Sequence, residues 1–284
     1  MNKIQHKSQF WAISSEGMNK VISSSFPAEM KEAIASVGAQ GDDKKEVLRD
    51  MLSVYMTQRQ QMTTDEGIAE VHLHGPMLSD ASPIDLAMGS TSYEEIREDI
   101  EAANMDEDVK AILLRVNTPG GTVSGIEETY EAIKSSSKPV FAYNEGYATS
   151  AGYYLIAPAE SIAASPSSMT GNIGTVLDMW DFSGVYENMG AKRTLMTNEG
   201  ADLKGTMRTE PTDSQREFLQ NQLNDMGDQF HARVIESRPE VDEEVYRAGW
   251  YQPDAAAALG LIDFKGTLKE YKSMIKSAID IRTQ

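Results

Sequence analysis

Cysteine is absent from the 284 residues of this chain, which excludes disulfides, thiolate catalysis and cysteine-based zinc sites. Long apolar runs are absent as well. The longest candidate, residues 255–262, is far shorter than the roughly 20 residues of a membrane-spanning helix. The first residues also lack the continuous apolar segment of a secretory signal. We therefore expect a cytoplasmic protein that does not span a membrane.

Basic residues and histidines are scarce. The chain has 26 lysines and arginines against 44 aspartates and glutamates, and its formal net charge is −18. Such a chain repels phosphate backbones and anionic membranes, so we expect no nucleic-acid partner. Of the four histidines, His72 and His74 alternate on a predicted strand. They have no obvious third ligand, so we expect neither a metal nor another cofactor.

The sequence divides into three segments that differ in composition and in the spacing of their apolar residues. Residues 1–65 are polar, with helical spacing at 27–37 and 44–62, and predict a helical, partly mobile N-terminal extension. Residues 66–265 form the predicted core, and residues 266–284 read as a C-terminal helix.

The core alternates between short apolar runs and amphipathic segments. Apolar runs such as 109–116 and 138–144 are typical of strands buried on both faces of a parallel sheet. "SYEEIREDIEAANM" begins with Ser92 and carries Glu95 three residues later, which predicts a capping box and a helix. The alternation predicts an α/β fold. A further strand is expected at 193–197 and a long helix at 211–236.

Two turns in the core carry possible chemistry. "RVNTPGG", residues 115–121, ends a buried strand in a glycine turn that lets a ligand approach the backbone. One strand later, Ser150 stands at a helix start in "YATSAGYYLIA", where a serine is usually an N-cap. If Ser150 is instead a nucleophile, the backbone N–H groups of Gly121 and Ala151 could form its oxyanion hole, because both turns open at one edge of the sheet.

A serine nucleophile needs a base, and no histidine lies between residues 75 and 230. Lysine is the alternative base. Lys204 lies in the glycine-containing loop "NEGADLKGT". Taken alone, however, this residue reads as an ordinary solvated lysine.

Together these motifs resemble a known family. Residues 115–133, 138–174 and 247–263 match, in order and spacing, the signal peptide peptidase A family of serine proteases. The resemblance covers roughly residues 66–265 and implies the ClpP/crotonase-like spiral of ββα units.

The resemblance also assigns roles to residues. Ser150 matches the nucleophile of the family motif A-S-G-G-Y, which reads Thr-Ser-Ala-Gly-Tyr here. Gly121 and Ala151 match the oxyanion donors, and Lys204 matches the general base of a Ser–Lys dyad. The loop before Lys204 is one residue longer than is usual in the family, so Lys192 is the reserve candidate.

The short form of this chain is similar to the phage-encoded branch, the head maturation proteases that trim capsid and scaffold proteins. Cellular members carry an N-terminal membrane anchor and often a duplicated core, neither of which we expect here. The resemblance implies protein substrates and a closed homo-oligomer, with a site in the host cytoplasm or inside the phage prohead. The apolar stripe on the helix at 211–236 independently favours an interface.

Two other functions remain open. A crotonase-like acyl-CoA enzyme would use the same two N–H donors on a thioester without Ser150, but the sequence has no basic cluster for the CoA phosphates. A non-catalytic capsid or scaffold component would keep only the fold.

Overall fold

The computed structural model describes residues 11–13, 62–82, 85–86, 88–179, 181–192, 194–205 and 210–282. The two helices expected at 27–37 and 44–62 lie outside these ranges, except for Met62, which is not helical.

Strands and helices alternate through the described chain. The strands are β1 (Trp11–Ile13), β2 (Thr63–Asp65), β3 (Ile68–His74), β4 (Met77–Leu78), β5 (Thr91–Ser92), β6 (Ala111–Thr118), β7 (Gly120–Thr122), β8 (Val140–Thr149), β9 (Ser161–Ala164), β10 (Met169–Gly171), β11 (Trp250–Tyr251) and β12 (Phe264–Lys265). The α-helices are α1 (Tyr93–Met105), α2 (Ile126–Lys134), α3 (Ala151–Ile156), α4 (Ser183–Asn188), α5 (Asp213–Ser237), α6 (Pro253–Ala258) and α7 (Leu268–Arg282), with a 3₁₀ turn at Glu243–Arg247.

The described strands form two sheets. The larger has the order β11-β10-β8-β6-β3-β2, and β9 joins β8 to β12 beside this path. Its central pairs β3–β6, β6–β8 and β8–β10 are parallel, which confirms the predicted α/β fold. The smaller sheet has the order β1-β7-β4-β5.

Both faces of the central strands are buried. On one face, side chains such as Val71 and Leu114 pack with Tyr93 of α1 and Tyr130 of α2. On the other face, strand residues pack with Tyr271 of α7. This two-sided burial explains the continuous apolar runs in the sequence. It also makes the C-terminal helix part of the core.

Local capping signals define two helix starts. The Ser92 hydroxyl accepts a hydrogen bond from the Glu94 N–H, and Glu95 completes the predicted capping box of α1. Thr212 and Gln215 form a second capping box at α5. The long helix predicted at 211–236 is therefore present with nearly the expected bounds.

Two expectations about local structure are wrong. Residues 194–197 form no strand, because their β-forming side chains find no partner strand and mostly face solvent. In the N-terminal extension, residues 11–13 and 63–65 are strands that pair with the core. Among the described residues, no helix is long and apolar enough to cross a membrane.

Candidate active site

Ser150 links β8 to α3 in an unusual backbone conformation. Its φ is 55° and its ψ is −123°, a combination that residues with side chains rarely adopt. Such strain costs about 1–3 kcal/mol and persists only where the surroundings impose it. The Ser150 side chain makes no capping hydrogen bond to α3. The ordinary N-cap interpretation is therefore wrong, and the geometry is that of a sharp strand-to-helix turn of the kind that presents a nucleophile.

The surroundings hold this turn on two sides. The Ser150 N–H donates to the Gly171 carbonyl at 2.8 Å, and the Thr149 hydroxyl donates to the Thr118 carbonyl at 3.2 Å. Ser150 is only 1% exposed. The side chain thus lies inside the junction between β6, β8 and β10.

Thr118 organises the neighbouring glycine turn. Its hydroxyl donates to the Gly75 carbonyl at 2.5 Å and accepts from the Gly120 N–H at 3.1 Å. This side-chain turn is typical of threonine. The sequence placed Thr118 beside the glycines without revealing this role, although a hydroxyl residue two positions before a turn glycine is a usable signal.

Gly121 occupies a position where only glycine fits. A Cβ there would overlap the Met77 carbonyl of β4. On the same strand, the Thr122 carbonyl accepts a hydrogen bond of 2.8 Å from the buried Tyr93 hydroxyl. Strand β7 is therefore held in place by its pairing with β4 and by the hydrogen bond from Tyr93.

The two turns lie together, as the sequence predicts. Thr118 pairs with Ala148 across β6 and β8, so the segments before Gly121 and Ala151 end at the same edge of the sheet. Ala151 is the first residue of α3, and the N–H of such a residue has no acceptor within its helix. The oxyanion roles of Gly121 and Ala151 stay predictions.

The lysine candidates are not assembled with Ser150. Lys204 is exposed; its backbone N–H donates to the Ala201 carbonyl at 3.1 Å, and its loop contacts α5 through Gln215, whose side chain donates to the Asp202 carbonyl at 2.6 Å. Lys192 is exposed as well. Within the part of the chain that the structure describes, no hydrogen bond joins either ammonium group to Ser150.

The segment that carries both lysines is rich in exposed apolar side chains. We call the described part of residues 176–205 the apolar arm. Its large exposed side chains are those of Val176, Met179, Phe182, Val185, Tyr186, Met189, Leu195, Met196 and Leu203. Exposed apolar side chains grouped along one segment are typical of an interaction surface.

Charged side chains cluster on the other face of the sheet. Arg115 forms ion pairs with Glu70 and Glu145, and His74 Nε2 lies 3.0 Å from Glu145 Oε2. Burial raises the pKa of Glu145, but the hydrogen bonds and charges of His74 and Arg115 outweigh it and lower that pKa to about 2. Because side chains alternate along a strand, this cluster faces away from α3 and supplies no base to Ser150.

The three described histidines, His72, His74 and His231, therefore lie in structural environments. His72 lies beside the same cluster, where burial and the charges of His74 and Arg115 lower its pKa to about 4. His231 of α5 packs against Tyr246, with ring centroids 4.4 Å apart. Among the described residues, no group of three or more histidine, aspartate or glutamate side chains could hold a metal ion.

The chain is similar to several proteases. It is 31% identical over 70% of its length to protease 4 of Salmonella typhi and 25% identical over 89% of its length to capsid assembly protease C of Escherichia phage lambda. It is also 26% identical over 75% of its length to the chloroplastic serine protease SPPA of Arabidopsis thaliana. The chain spans 32%, 56% and 32% of these relatives, respectively.

Two protein-family profiles match the sequence. The Clp protease profile matches residues 83–170, the segment that holds both turns, and agrees with the predicted ClpP-like fold. The profile of peptidase family S49 matches residues 132–282, from α2 through the Ser150 turn to the end of α7. Since this match covers more than half of the chain and the Arabidopsis thaliana relative bears the name SPPA, the resemblance seen in the motifs is confirmed: the chain belongs to peptidase family S49.

Proposed function

We propose that this chain is a serine endopeptidase in which Ser150 is the nucleophile and Lys204 the general base. The observation that carries the proposal is the strained, uncapped turn at Ser150 beside the glycine strand β7. A serine that served only to start a helix would have an extended backbone and a capping hydrogen bond. Membership of family S49 supports the same reading.

The proposed roles assign one chemical step to each group. Neutral Lys204 takes the proton of the Ser150 hydroxyl as the oxygen attacks the peptide carbonyl. The N–H groups of Gly121 and Ala151 stabilise the negative oxygen of the tetrahedral intermediate. The protonated lysine then gives its proton to the leaving amine, and an acyl-enzyme ester remains on Ser150. A water molecule attacks this ester while neutral Lys204 takes its proton. Lys204 then returns that proton to the Ser150 oxygen as the carboxylic acid product leaves.

We infer that Lys204 serves the Ser150 of a second copy. In its own chain no hydrogen bond joins Lys204 to Ser150, and the lysine lies on the exposed apolar arm. Docking the arm on a neighbouring subunit would bury its apolar side chains and desolvate the lysine. Desolvation lowers a lysine pKa, which is the change that a neutral lysine base requires.

The substrates that we propose are extended segments of protein chains, cut after small or apolar residues. An extended peptide binds by adding a strand to a sheet edge, and β7 contains the candidate oxyanion donor Gly121. The phage lambda relative is a capsid assembly protease. Capsid and scaffold proteins are therefore the natural substrates to try first.

A fluorophosphonate probe tests the nucleophile directly. We expect it to label the wild-type protein at Ser150 and to leave Ser150→Ala unlabelled. The matched control is Ser168→Ala, which removes another buried serine whose hydroxyl donates to the Ser165 carbonyl at 2.7 Å. An acyl-CoA enzyme or a non-catalytic shell protein of this fold would show no labelling at Ser150, and that result would overturn the proposal.

A further inference from the structure

Strand β7 has two lateral neighbours, one on each edge. On one edge Met77 of β4 pairs with Gly121. On the other edge β1 runs antiparallel, with Trp11 opposite Thr122, Ala12 opposite Gly121 and Ile13 opposite Gly120. Strand β1 therefore lies directly alongside the candidate oxyanion donor Gly121.

The position of β1 is the one that a substrate needs. An extended peptide gains its affinity from main-chain hydrogen bonds to an open strand edge. Since β4 fills one edge of β7, a peptide that is to pass Gly121 must use the edge where β1 lies. The proposed substrate and β1 thus require the same main-chain groups.

The connection between β1 and the core makes this competition intramolecular. Residues 14–61 separate β1 from the next described segment. A segment joined covalently to its site competes at an effective concentration that does not fall when the protein is diluted. The described part of the strand has three residues and forms few ladder hydrogen bonds, so a longer peptide can displace it.

We propose that strand β1 (Trp11–Ile13) is an intramolecular ligand of the peptide-binding edge, and that it holds substrates off β7 until they displace it. The proposal rests on the proposed peptidase function for its meaning, but the occupancy of β7 can be tested without catalysis. The sequence "FWAISS" around β1 also has the apolar and small residues that we expect in a substrate.

Proline substitution is the sharpest perturbation, since proline has no N–H to donate to a strand ladder. We would place Trp11→Pro, Ala12→Pro and Ile13→Pro together in the full-length Ser150→Ala protein. The matched control replaces the same three residues by valine, which keeps the N–H groups and favours strands. The probe is a fluorescent peptide with the sequence of residues 8–16, "SQFWAISSE".

We expect the peptide to bind the triple-proline protein roughly tenfold more tightly than the parent or the valine control, because the tethered competitor is gone. Hydrogen exchange at Gly120–Thr122 should speed up in the triple-proline protein and slow again when the peptide is added. Equal peptide affinity for all three proteins, with unchanged exchange at β7, would overturn the proposal.

Two further measurements separate this proposal from the peptidase proposal. If the triple-proline protein does not unfold cooperatively, the single variant Ala12→Pro replaces it. We expect Ala12→Pro to give a smaller increase in peptide affinity and in hydrogen exchange at β7. In the Ser150-containing background, faster fluorophosphonate labelling on proline substitution supports both proposals. Absence of labelling together with tighter peptide binding rejects the peptidase alone, whereas labelling at an unchanged rate with unchanged binding rejects the intramolecular ligand alone.

Discussion

The methyl group of Thr118 fills the space where Gly152 would carry a Cβ. The threonine cannot rotate away, because its hydroxyl is bonded to both Gly75 and Gly120. We predict that Gly152→Ala destabilises the protein by about 1–3 kcal/mol, the usual cost of overpacking a core. Activity should also fall, because the clash pushes the Ser150 turn away from β7. Urea unfolding and fluorophosphonate labelling measure the two effects.

A second substitution identifies the cause of this loss. Thr118→Ser removes the methyl group and keeps the hydroxyl, so the double variant Gly152→Ala with Thr118→Ser should recover most of the stability and labelling. Gly227→Ala in α5 is the control, since a Cβ on that glycine makes only an ordinary contact of 3.8 Å with Thr175 Oγ1. A double variant as unstable as Gly152→Ala alone would show that the methyl contact is not the cause.

Backbone strain at Ser150 predicts that two inactive variants differ in stability. Both Ser150→Ala and Ser150→Gly remove the nucleophile, and turnover should fall by orders of magnitude, up to about 10⁶. Glycine tolerates the φ of 55°, whereas alanine does not. After allowing for the greater unfolded-state entropy of glycine, we expect Ser150→Gly to be more stable than Ser150→Ala by about 1 kcal/mol. Equal thermal midpoints for the two variants would mean that the turn is unstrained.

The base can be identified by pH profiles. If neutral Lys204 activates Ser150, kcat/KM for a peptide substrate should rise with pH through the lowered lysine pKa and then level off. Lys204→Ala should lose about as much activity as Ser150→Ala, because the two residues act as a unit. Lys192→Ala is the control. Loss of activity in Lys192→Ala but not in Lys204→Ala would reassign the base to Lys192.

Local signals explain what the sequence could predict. The capping box at Ser92, the buried strands and the long helix α5 depend on residues close to one another along the chain, and each was identified. The juxtaposition of the Gly121 and Ser150 turns was also predictable, because the carboxyl ends of adjacent parallel strands share one edge.

Long-range packing explains what the sequence did not reveal. The φ of Ser150 and the hydrogen bond from Thr118 to the Gly75 carbonyl depend on strands that are distant in sequence, so no local pattern signals them. The strand expected at 193–197 shows the reverse error: its residues favour strands, but β-propensity is expressed only where a partner strand is available. The pairing of β1 with β7 joins segments more than 100 residues apart, and composition carries no trace of it.

The half-buried environment of His72 predicts a specific loss of stability in acid. Its pKa falls from 6.5 in the free side chain to about 4 in the folded protein, so the unfolded chain binds a proton more readily. The contribution of the neutral His72 side chain to the free energy of unfolding is therefore fully present above pH 6.5. It is lost as the pH falls from about 6.5 to about 4. We predict that His72→Gln flattens the decline in unfolding free energy over this window.

The half-buried His231 provides a comparison for that experiment, since its ring packs at a tilt against Tyr246 outside the charged cluster. Burial lowers the pKa of His231 as well. Urea unfolding at intervals between pH 7 and pH 4 gives the slopes. If the wild type and His72→Gln lose stability in parallel between pH 6.5 and pH 4.5, His72 does not titrate as the structure requires.

The apolar arm predicts self-assembly with a shared active site. We expect light scattering to give a mass well above the 31.3 kDa of one chain. Met189→Asp, at a side chain 76% exposed on the arm, should lower both the assembled mass and the activity, because it places a charge in the interface. Met105→Asp, at a side chain 72% exposed on α1, is the matched control and should change neither.

Mixing two inactive variants then shows which chain supplies the lysine. In an assembly formed from equal amounts of Ser150→Ala and Lys204→Ala, a site is complete when an intact Ser150 meets an intact Lys204 from its neighbour. Random assembly would make about a quarter of the sites complete in a closed ring, so activity should reappear on mixing after the subunits are dissociated and reassembled. If each Lys204 served its own chain, no combination of the two variants could form a complete site, and the mixture would stay as inactive as its components.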